Sequence, residues 1–334
     1  MFNLKIIGTG NYLPELVVTN EMMAEIVDTN DEWITSRTGI SERRYTSGEP
    51  TWYMASSAAR KALEISGLDP AELSVILVTT VTPDYFTPSI SSIVQAEIGA
   101  EHAFCIDLNA ACSGFVFALD MASRYLASPE IKNILIISAE NLSKMANFSD
   151  RKTCVLFGDG ASALICTRSE SGEASALLST VLGSEGKNAQ ALVTRALPVG
   201  HPFIKPEAVW PDRYGQHDNH LIYMEGQEVF KFAVRVMADS IMEAARKANV
   251  EIADLSFIIP HQANARIVDA AARRMKAKPH QLVSRIAKYG NTSSASIPIC
   301  LDEIIRSGQL KRGEKVAVCG FGGGLSYGAA IFVY

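Results

Sequence analysis

A thiol and an imidazole stand at positions where α/β proteins commonly carry their chemistry. Cys112 follows the strand-like run 103–107 and a turn, and it opens an apolar helical segment. Backbone N–H groups and the macrodipole at a helix start favour a thiolate, whereas burial raises a thiol pKa. His261 follows the apolar run 255–260, and sites in α/β sheets lie beyond the carboxyl ends of strands. Cys112 is therefore a candidate nucleophile and His261 a candidate partner.

Each candidate also has a purely structural interpretation. Free cysteines are among the most buried residue types, and a lone histidine is often held by backbone hydrogen bonds. Asn291, which lies in a loop before a helical segment, is equally suited to capping a helix or forming a turn. Residue type alone does not choose between these interpretations, so the position of each residue in the fold has to decide.

An internal repeat brings the three residues together. Segment 71–78 resembles segment 253–260 at an offset of 182 residues, and further matches keep this register for some 65 residues. The same offset places Cys112 opposite Ser294. The loop of Asn291 and the start of the Cys112 helix should therefore meet near a pseudo-twofold axis, with the end of the strand that precedes His261 close by.

Short apolar runs alternate with longer helical patterns in both copies, which predicts strands covered by helices on their faces. The predicted fold class is α/β with two duplicated halves, 1–175 and 176–334. The segment 112–127 is apolar almost all round, which predicts a buried helix. The other predicted helices are 54–66, 87–98, 229–249, 264–277 and 296–307, and the predicted strands are 73–79, 103–107, 133–138, 160–166, 255–260, 315–319 and 326–333.

Composition excludes several classes of protein. The 334 residues are 48% hydrophobic with a formal charge of −5, which is unlike a disordered chain or a dedicated nucleic-acid binder. No apolar run has the length of a membrane helix, and the N-terminus lacks signal-peptide features, so we expect a cytoplasmic protein. The six cysteines and six histidines show no metal-ligand spacing, so we expect reduced thiols and no metal site. The long loop 186–224 has no role readable from its composition.

The glycine cluster 320–324 looks like a phosphate cradle at first sight. It lies between two predicted strands and opens no helix, which argues against a dinucleotide site. A tight hairpin whose N–H groups face the cavity fits better. Such donors would form an oxyanion hole, which stabilises negative charge that develops during a reaction.

The ordered motifs resemble those of the β-ketoacyl-(acyl carrier protein) synthase III family, and the similarity runs from Lys5 to Phe332. The motifs are Asn109-Ala110-Ala111-Cys112-Ser113-Gly114, Pro260-His261-Gln262-Ala263-Asn264, Tyr289-Gly290-Asn291-Thr292-Ser293 and Gly320-Phe321-Gly322-Gly323-Gly324. The resemblance implies the thiolase fold, with two halves in αβαβα layers, mixed five-stranded sheets and a homodimer. It implies no cofactor besides the substrate acyl-CoA.

The resemblance also implies a mechanism. Cys112 would take an acyl group from acyl-CoA, and His261 and Asn291 would donate hydrogen bonds to the enolate formed when malonyl-acyl carrier protein loses CO₂. The N–H groups of Cys112 and Gly323 would hold the acyl carbonyl oxygen. The condensation would initiate fatty-acid synthesis.

The remaining site residues are also assigned by resemblance. Those expected to bind coenzyme A or the acyl chain are Trp33 and Arg151 around the adenine, Arg37 near the phosphates, Gly226 and Asn264 along the pantetheine, and Thr87 and Phe321 nearer the acyl group. Those expected to dock the acidic carrier protein are Lys231, Arg266, Arg273 and Arg274. Each of these could instead be an ordinary surface residue, and Arg273 and Arg274 also suit a helix C-terminus.

The chain departs from the family pattern at two places that bear on the primer, the acyl group that starts the condensation. Acetyl-selective members carry Phe before the Pro of the acyl pocket, whereas this chain has Thr87 before Pro88, which predicts a longer or branched primer. The loop 186–224 is longer than in typical members and borders the same region. Two alternatives stay open: a condensing enzyme or acyltransferase of secondary metabolism that uses the same three residues, and a non-catalytic scaffold.

Overall fold

The computed structural model describes residues 3–197, 202–203 and 220–334. The strands are β1 (Lys5–Tyr12), β2 (Leu16–Thr19), β3 (Glu42–Tyr45), β4 (Leu73–Thr79), β5 (Phe104–Leu108), β6 (Asn133–Glu140), β7 (Gly160–Thr167), β8 (Ala176–Ser184), β9 (Leu192–Val193), β10 (Tyr223–Met224), β11 (Phe257–Pro260), β12 (Lys315–Gly322) and β13 (Ser326–Val333). The α-helices are α1 (Asn20–Ala24), α2 (Asp31–Thr38), α3 (Thr51–Ser66), α4 (Ile90–Ile98), α5 (Gly114–Tyr125), α6 (Gly226–Ala248), α7 (Ala265–Met275), α8 (Ile286–Tyr289) and α9 (Ser296–Arg306).

Two mixed sheets repeat one topology, as the internal repeat predicts. The first has the strand order β1-β7-β6-β4-β5 and the second the order β8-β13-β12-β11. β4 is parallel to both β6 and β5 in the first sheet, and β11 is parallel to β12 in the second. The remaining pairs toward β1 and β8 are antiparallel. The duplicated α/β fold is confirmed.

The second sheet is one strand shorter than expected. In the described residues the counterpart of β5 is a single parallel bridge between Ile258 and Leu282. A 3₁₀ turn at Pro279–Gln281 and the start of α8 at Ile286 bracket this bridge closely, so no regular strand forms between them.

The two sheets enclose a central layer of helices. The buried core between the sheets includes Phe115 and Leu119 of α5 and Ile297 and Leu301 of α9, together with side chains of both sheets. Helices α3 and α4 cover the outer face of the first sheet, and α6 and α7 cover the outer face of the second. Full burial of each large apolar side chain contributes about 1.5–3 kcal/mol, so this layer fixes the two halves against each other. The predicted burial of the segment 112–127 is confirmed for most of its length, whereas Arg124 and Ala127 near its end are exposed.

The first central helix begins two residues later than the predicted start at 112, whereas the second begins at Ser296 as predicted, and a tight turn precedes both. A 3₁₀ turn at Ala111–Ser113 precedes α5, and a 3₁₀ turn at Ser293–Ala295 precedes α9. Ala111 has φ +46° and Ser293 has φ +49°, a region that L-residues rarely occupy. These two residues are equivalent at the offset of 182. The repeat therefore preserves a backbone strain of the kind that clusters at functional sites.

The long loop predicted at 186–224 contains some regular structure. Residues Gly186–Ala191 form a 3₁₀ turn, and β9 pairs with β10 in an antiparallel ladder. Residues 198–201 and 204–219 of this loop lie outside the described residues. Of the helices described, none has both the length and the apolarity to cross a membrane.

Candidate active site

The thiol of Cys112 lies where the two halves meet. Its Sγ is 3.3 Å from the hydroxyl of Ser293, which belongs to the 3₁₀ turn before α9. The β12–β13 hairpin passes on another side: a Cβ placed on Gly322 would lie 3.1 Å from Sγ and 2.7 Å from the Cys112 backbone nitrogen. Cys112 is therefore bounded by its own turn, by the loop of the other half and by the glycine hairpin.

The protonation state of Cys112 is set mainly by burial. Burial, together with the nearby Glu140, raises the pKa of its thiol to about 12, while the Ser293 hydroxyl opposes this effect. The helix start does not compensate, because Cys112 lies in the 3₁₀ turn ahead of α5. The resting residue is a thiol, and its reaction as a nucleophile requires a place for its proton.

His261 is held as a neutral imidazole. It is almost fully buried, and burial lowers its pKa to about 3. Its Nδ1 lies 2.7 Å from the hydroxyl of Ser296, and the same hydroxyl accepts a hydrogen bond from the Gln262 backbone N–H. Because this hydroxyl already accepts from Gln262, we assign its proton to Nδ1, and this assignment places the hydrogen of His261 on Nε2. Phe321 contacts the ring edge-to-face at 5.2 Å between centroids and fixes its plane.

Asn291 is oriented by the backbone. Its Oδ1 accepts a hydrogen bond of 2.8 Å from the Ser293 N–H, and its own backbone pairs with Leu156 and Gly158. Because a backbone N–H only donates, this bond assigns the amide oxygen without ambiguity and leaves the Nδ2 hydrogens as donors. His261 and Asn291 therefore both offer N–H groups, as an oxyanion site requires.

One short loop connects the three predicted catalytic residues: it contains one of them and contacts the other two. Within 291–296, Asn291 is itself a member, Ser293 contacts Cys112 and Ser296 contacts His261. Sequence reasoning missed Ser293 and Ser296 because a run of serines after a turn usually caps a helix; their only signal was the offset of 182, which put this run opposite Cys112.

A cavity of about 1130 Å³ opens at Cys112. Ser293, Gly323, Phe117, Leu192 and Met145 are among its lining residues. The volume exceeds what a two-carbon acyl group fills, and it is slightly above the range of about 300–1,000 Å³ that is typical of pockets for drug-sized ligands. In the parts of the chain that the structure describes, no group of three or more His, Cys, Asp or Glu residues is arranged to bind a metal ion.

The close approach of Gly322 gives a first prediction. Gly322 has an extended φ of −176°, so another residue fits its backbone, but a new Cβ would collide with the Cys112 nitrogen and sulfur. We expect Gly322→Ala to lower the rate of Cys112 acylation by about 10²-fold, because a displacement near 1 Å suffices for such a loss. Stopped-flow release of the acyl donor's thiol measures this rate.

Gly186→Ala is the matched control, since a Cβ at Gly186 meets no atom within 4 Å. An unchanged acylation rate in Gly322→Ala would show that the hairpin does not bound the reacting sulfur.

The residues expected around adenine lie together, but no gap wide enough for an adenine ring separates Trp33 from Arg151. The Arg37 guanidinium is 4.6 Å from the Trp33 ring centroid, and that of Arg151 is 5.1 Å from it. Arg151 also donates to the backbone oxygen of Asp28 at 2.8 Å. A flat ring inserted between Trp33 and Arg151 needs roughly 7 Å, two stacking distances, so Arg151 must move outward to admit one.

The other expected substrate residues are dispersed. Asn264 caps α7 and its Nδ2 donates to the Arg37 backbone oxygen at 3.0 Å, whereas Gly226 opens α6 with free space around it. Phe321 is buried behind His261 and does not line the cavity of about 1130 Å³. Thr87 is exposed and does not line that cavity either, so within one chain it does not bound the acyl pocket.

The residues expected to dock a carrier protein share the outer surface of the second half. Lys231 lies on α6, and Arg266, Arg273 and Arg274 lie on α7, which packs against α6. Lys231 pairs with Glu228 at 2.9 Å and Arg274 with Asp239 at 2.6 Å. The basic character of this surface is thus partly neutralised by neighbouring carboxylates.

Comparisons with known proteins agree with this geometry. Residues 106–186 match the model of 3-oxoacyl-(acyl-carrier-protein) synthase III, and residues 245–334 match the model of its C-terminal part. The chain is 47% identical over 329 residues to the β-ketoacyl-(acyl-carrier-protein) synthase III of Clostridium novyi (strain NT), covering 98% of both chains. Among solved structures, the 3-oxoacyl-(acyl-carrier-protein) synthase III of Aquifex aeolicus VF5 aligns with a TM-score of 0.90 and 44% identity, covering 99% of this chain and 100% of that one. The priming β-ketosynthase of the R1128 polyketide biosynthetic pathway aligns with a TM-score of 0.88 and 34% identity, covering 99% and 96%.

Proposed function

Since the chain belongs to the β-ketoacyl-(acyl-carrier-protein) synthase III family, a family of condensing acyltransferases of fatty-acid biosynthesis, we propose that its reaction runs on Cys112, His261 and Asn291. The observation that carries this assignment is the loop 291–296, which contributes Asn291 and contacts both Cys112 and His261. With the boundary between the halves placed near residue 175, each half would supply part of one site. The contacting set argues against the scaffold interpretation, because packing alone does not require it.

The first half-reaction is acyl transfer. Cys112 Sγ attacks the thioester carbonyl of acyl-CoA, the carbon–sulfur bond to CoA breaks, and CoA leaves as a thiol that carries the former Cys112 proton. The N–H groups of Cys112 and Gly323, both on the cavity wall, would hold the carbonyl oxygen while it is negative.

The second half-reaction is decarboxylative condensation. Loss of CO₂ from the malonyl thioester leaves an enolate, whose oxygen would accept hydrogen bonds from His261 Nε2–H and Asn291 Nδ2–H. Both donors are neutral: the His261 pKa of about 3 means that no imidazolium is present to protonate the carbanion. The carbanion then attacks the acyl group, and Cys112 leaves as the thiolate.

Coenzyme A would enter over α2. Its adenine would separate Arg151 from Trp33, with Arg37 near the phosphates and Gly226, Asn264 and Phe321 further along toward the reacting carbon. Stacking between a guanidinium and an aromatic face contributes about 0.5–2 kcal/mol, which offsets the loss of the contact between Arg151 and Asp28. No cofactor besides acyl-CoA is needed for this chemistry.

Malonyl-acyl carrier protein would dock on the α6–α7 surface. The exposed cations there complement an acidic partner, and electrostatic attraction of this kind mainly raises the association rate. The four residues are Lys231, Arg266, Arg273 and Arg274. A cytoplasmic location is the expectation that goes with these two substrates.

A homodimer would complete the acyl pocket. Strand β5 is the edge of the first sheet, and its residue Phe104 is 43% exposed. Tyr85 and Phe86, beside the cavity, are 53% and 77% exposed. An apolar edge strand of this kind favours pairing with a second copy. Thr87, which lies outside its own chain's cavity, would then reach the partner's pocket.

The second prediction concerns which acyl-CoA primers the protein accepts, and it tests the proposed function directly. With a panel of acyl-CoA primers and malonyl-acyl carrier protein, we expect CO₂ release with longer or branched primers as well as with acetyl-CoA. Thr87→Phe should lower kcat/KM for the longest accepted primers at least about tenfold relative to acetyl-CoA, because it fills space in the pocket.

Ser171→Phe is a suitable control, since Ser171 is exposed in the turn after β7 and does not line the cavity. An identical primer profile in Thr87→Phe and the unmodified chain would mean that Thr87 does not gate the acyl site. Failure of every primer to release CO₂ would overturn the reaction itself.

A second candidate function is a priming condensation in secondary metabolism. The 34% identity to a polyketide priming β-ketosynthase favours it, and the same three residues would serve. The higher identity, 47%, to a fatty-acid family relative makes it the less supported of the two.

A further inference from the structure

A buried carboxyl group lies beside the nucleophile and has no part in the mechanism above. Glu140 ends β6 and is fully buried. Its Oε1 accepts a hydrogen bond of 2.7 Å from the Ser294 hydroxyl. Its Oε2 accepts hydrogen bonds from the Val81 N–H at 3.0 Å and from the Thr82 hydroxyl at 3.1 Å. Glu140 thus sits between the end of β4 and the loop that carries Asn291.

Glu140 is also linked to Cys112 through one side chain. The Ser293 hydroxyl donates to the Cys112 sulfur across 3.3 Å, and it also stabilises the charged form of the Glu140 carboxyl and so lowers its pKa. The neighbouring Ser294 hydroxyl donates directly to the same carboxyl group at 2.7 Å. A hydroxyl both accepts and donates a proton, so Ser293 connects the thiol to the carboxylate without a solvent molecule. In the part of the chain that is described, Glu140 forms no ion pair with a lysine or arginine. Burial raises its pKa, and the hydrogen bonds that it accepts from Ser294, Val81 and Thr82 oppose this effect and favour the carboxylate that can take up a proton.

The acylation step needs an acceptor for the thiol proton, and counting charges selects among the candidates. Transfer to His261 would create a thiolate and an imidazolium, two new charges in a buried site, on a ring that burial keeps neutral. Transfer to Glu140 moves one negative charge from carboxylate to sulfur and creates none. Two buried acids that share one proton are a familiar coupled system.

We propose that Glu140 accepts the Cys112 proton through Ser293 when acyl-CoA is attacked. The Ser293 hydroxyl takes the proton from sulfur and passes its own to a Glu140 oxygen, while Sγ forms its bond to the acyl carbon and the carbon–sulfur bond to CoA breaks. The proton then returns through Ser293 to the departing CoA sulfur. Glu140 ends ionised and no other reactant is consumed. Glu140 acts through Ser293 and is a positioning residue in that sense.

The amide variant Glu140→Gln fits the site. Its oxygen can face the Val81 N–H, and its NH₂ can donate to Ser294, whose own proton can turn to the Thr79 backbone oxygen 3.3 Å away. The variant therefore keeps its hydrogen bonds and loses only its capacity to take up a proton.

The experiment measures the two half-reactions separately. Single-turnover release of CoA thiol reports Cys112 acylation, and CO₂ release from malonyl-acyl carrier protein by enzyme acylated beforehand reports the second step. We expect Glu140→Gln and Ser293→Ala each to slow acylation by about 10²-fold or more, a usual contribution of general-base help, with the second step changed less than threefold. Glu140→Asp, which retains a carboxyl group, should recover at least tenfold over Glu140→Gln.

Asp302→Asn is the matched control, because Asp302 is an equally buried carboxyl on α9 with no contact to Cys112. Faster acylation in Glu140→Gln would mean that Glu140 only repels the thiolate. An equal loss of rate in both steps, with Glu140→Asp slower than Glu140→Gln, would mean that Glu140 has a structural role. Either outcome overturns the proposal. The proposal rests on the acyl transfer assigned to Cys112, and the experiment distinguishes failure of the function from failure of this inference. If the unmodified chain releases no CoA thiol, the proposed function is refuted. If Glu140→Gln is acylated at the normal rate, only the role of Glu140 is refuted.

Discussion

Replacement of Cys112 by Ser should abolish the acyl-enzyme. The hydroxyl keeps the position and size of the thiol, but it is a far weaker nucleophile in a site where burial already raises the thiol pKa to about 12. We expect no acyl adduct by intact-protein mass spectrometry after incubation with acyl-CoA. Condensation should fall by roughly 10⁴-fold or more, the scale of loss when a covalent nucleophile is removed.

Cys105→Ser provides the comparison, because Cys105 is a partly exposed thiol on β5 outside the site. It should acylate and condense like the unmodified protein. A stable acyl adduct on Cys112→Ser, at a level near that of the parent chain, would assign the nucleophile to another residue.

Replacement of His261 by Ala should separate the two half-reactions. The imidazole is neutral and lies against Ser296 and Phe321, so its role is to donate a hydrogen bond from Nε2 and not to accept the Cys112 proton. Acylation of Cys112 should stay within about threefold of normal. Decarboxylation of malonyl-acyl carrier protein should fall by about 10²–10³-fold, as when one oxyanion donor is lost.

Both rates can be read from one sample, by thiol release in the first phase and CO₂ release in the second. Equal loss of the two would show that His261 serves Cys112 directly as a base. That result would also remove the reason to look to Glu140 for the proton.

The sequence was sufficient for the fold because the repeat is a long-range signal. One offset of 182 predicted that the start of α5 meets the start of α9, and the structure adds that Ala111 and Ser293 share a left-handed backbone at equivalent positions. The boundaries were less accurate. The segment 112–127 reads as one helix, yet the tight turn at Cys112 delays α5 to Gly114, since local strain leaves no mark on apolar periodicity.

The sequence predicted the individual catalytic residues but not the contacts that connect them. Cys112, His261 and Asn291 stand out by type and motif, whereas Ser293, Ser296 and Glu140 act by contact, and contact between distant segments is not visible in one sequence. The sequence also left open whether the helix start or burial sets the pKa of Cys112, because only the structure shows how deeply the sulfur lies. Predictions that concern a second molecule, such as Thr87 in a partner's pocket, need that molecule to be tested.

The measurement that tests the account most directly is peptide mapping of the protein after incubation with acyl-CoA, followed by addition of malonyl-acyl carrier protein. We predict one acyl group per chain, located on the peptide that contains Cys112, and its discharge with release of one CO₂ per acyl group. An acyl group on any other cysteine, or an adduct on Cys112 that malonyl-acyl carrier protein does not discharge, would contradict a single site built from the two halves.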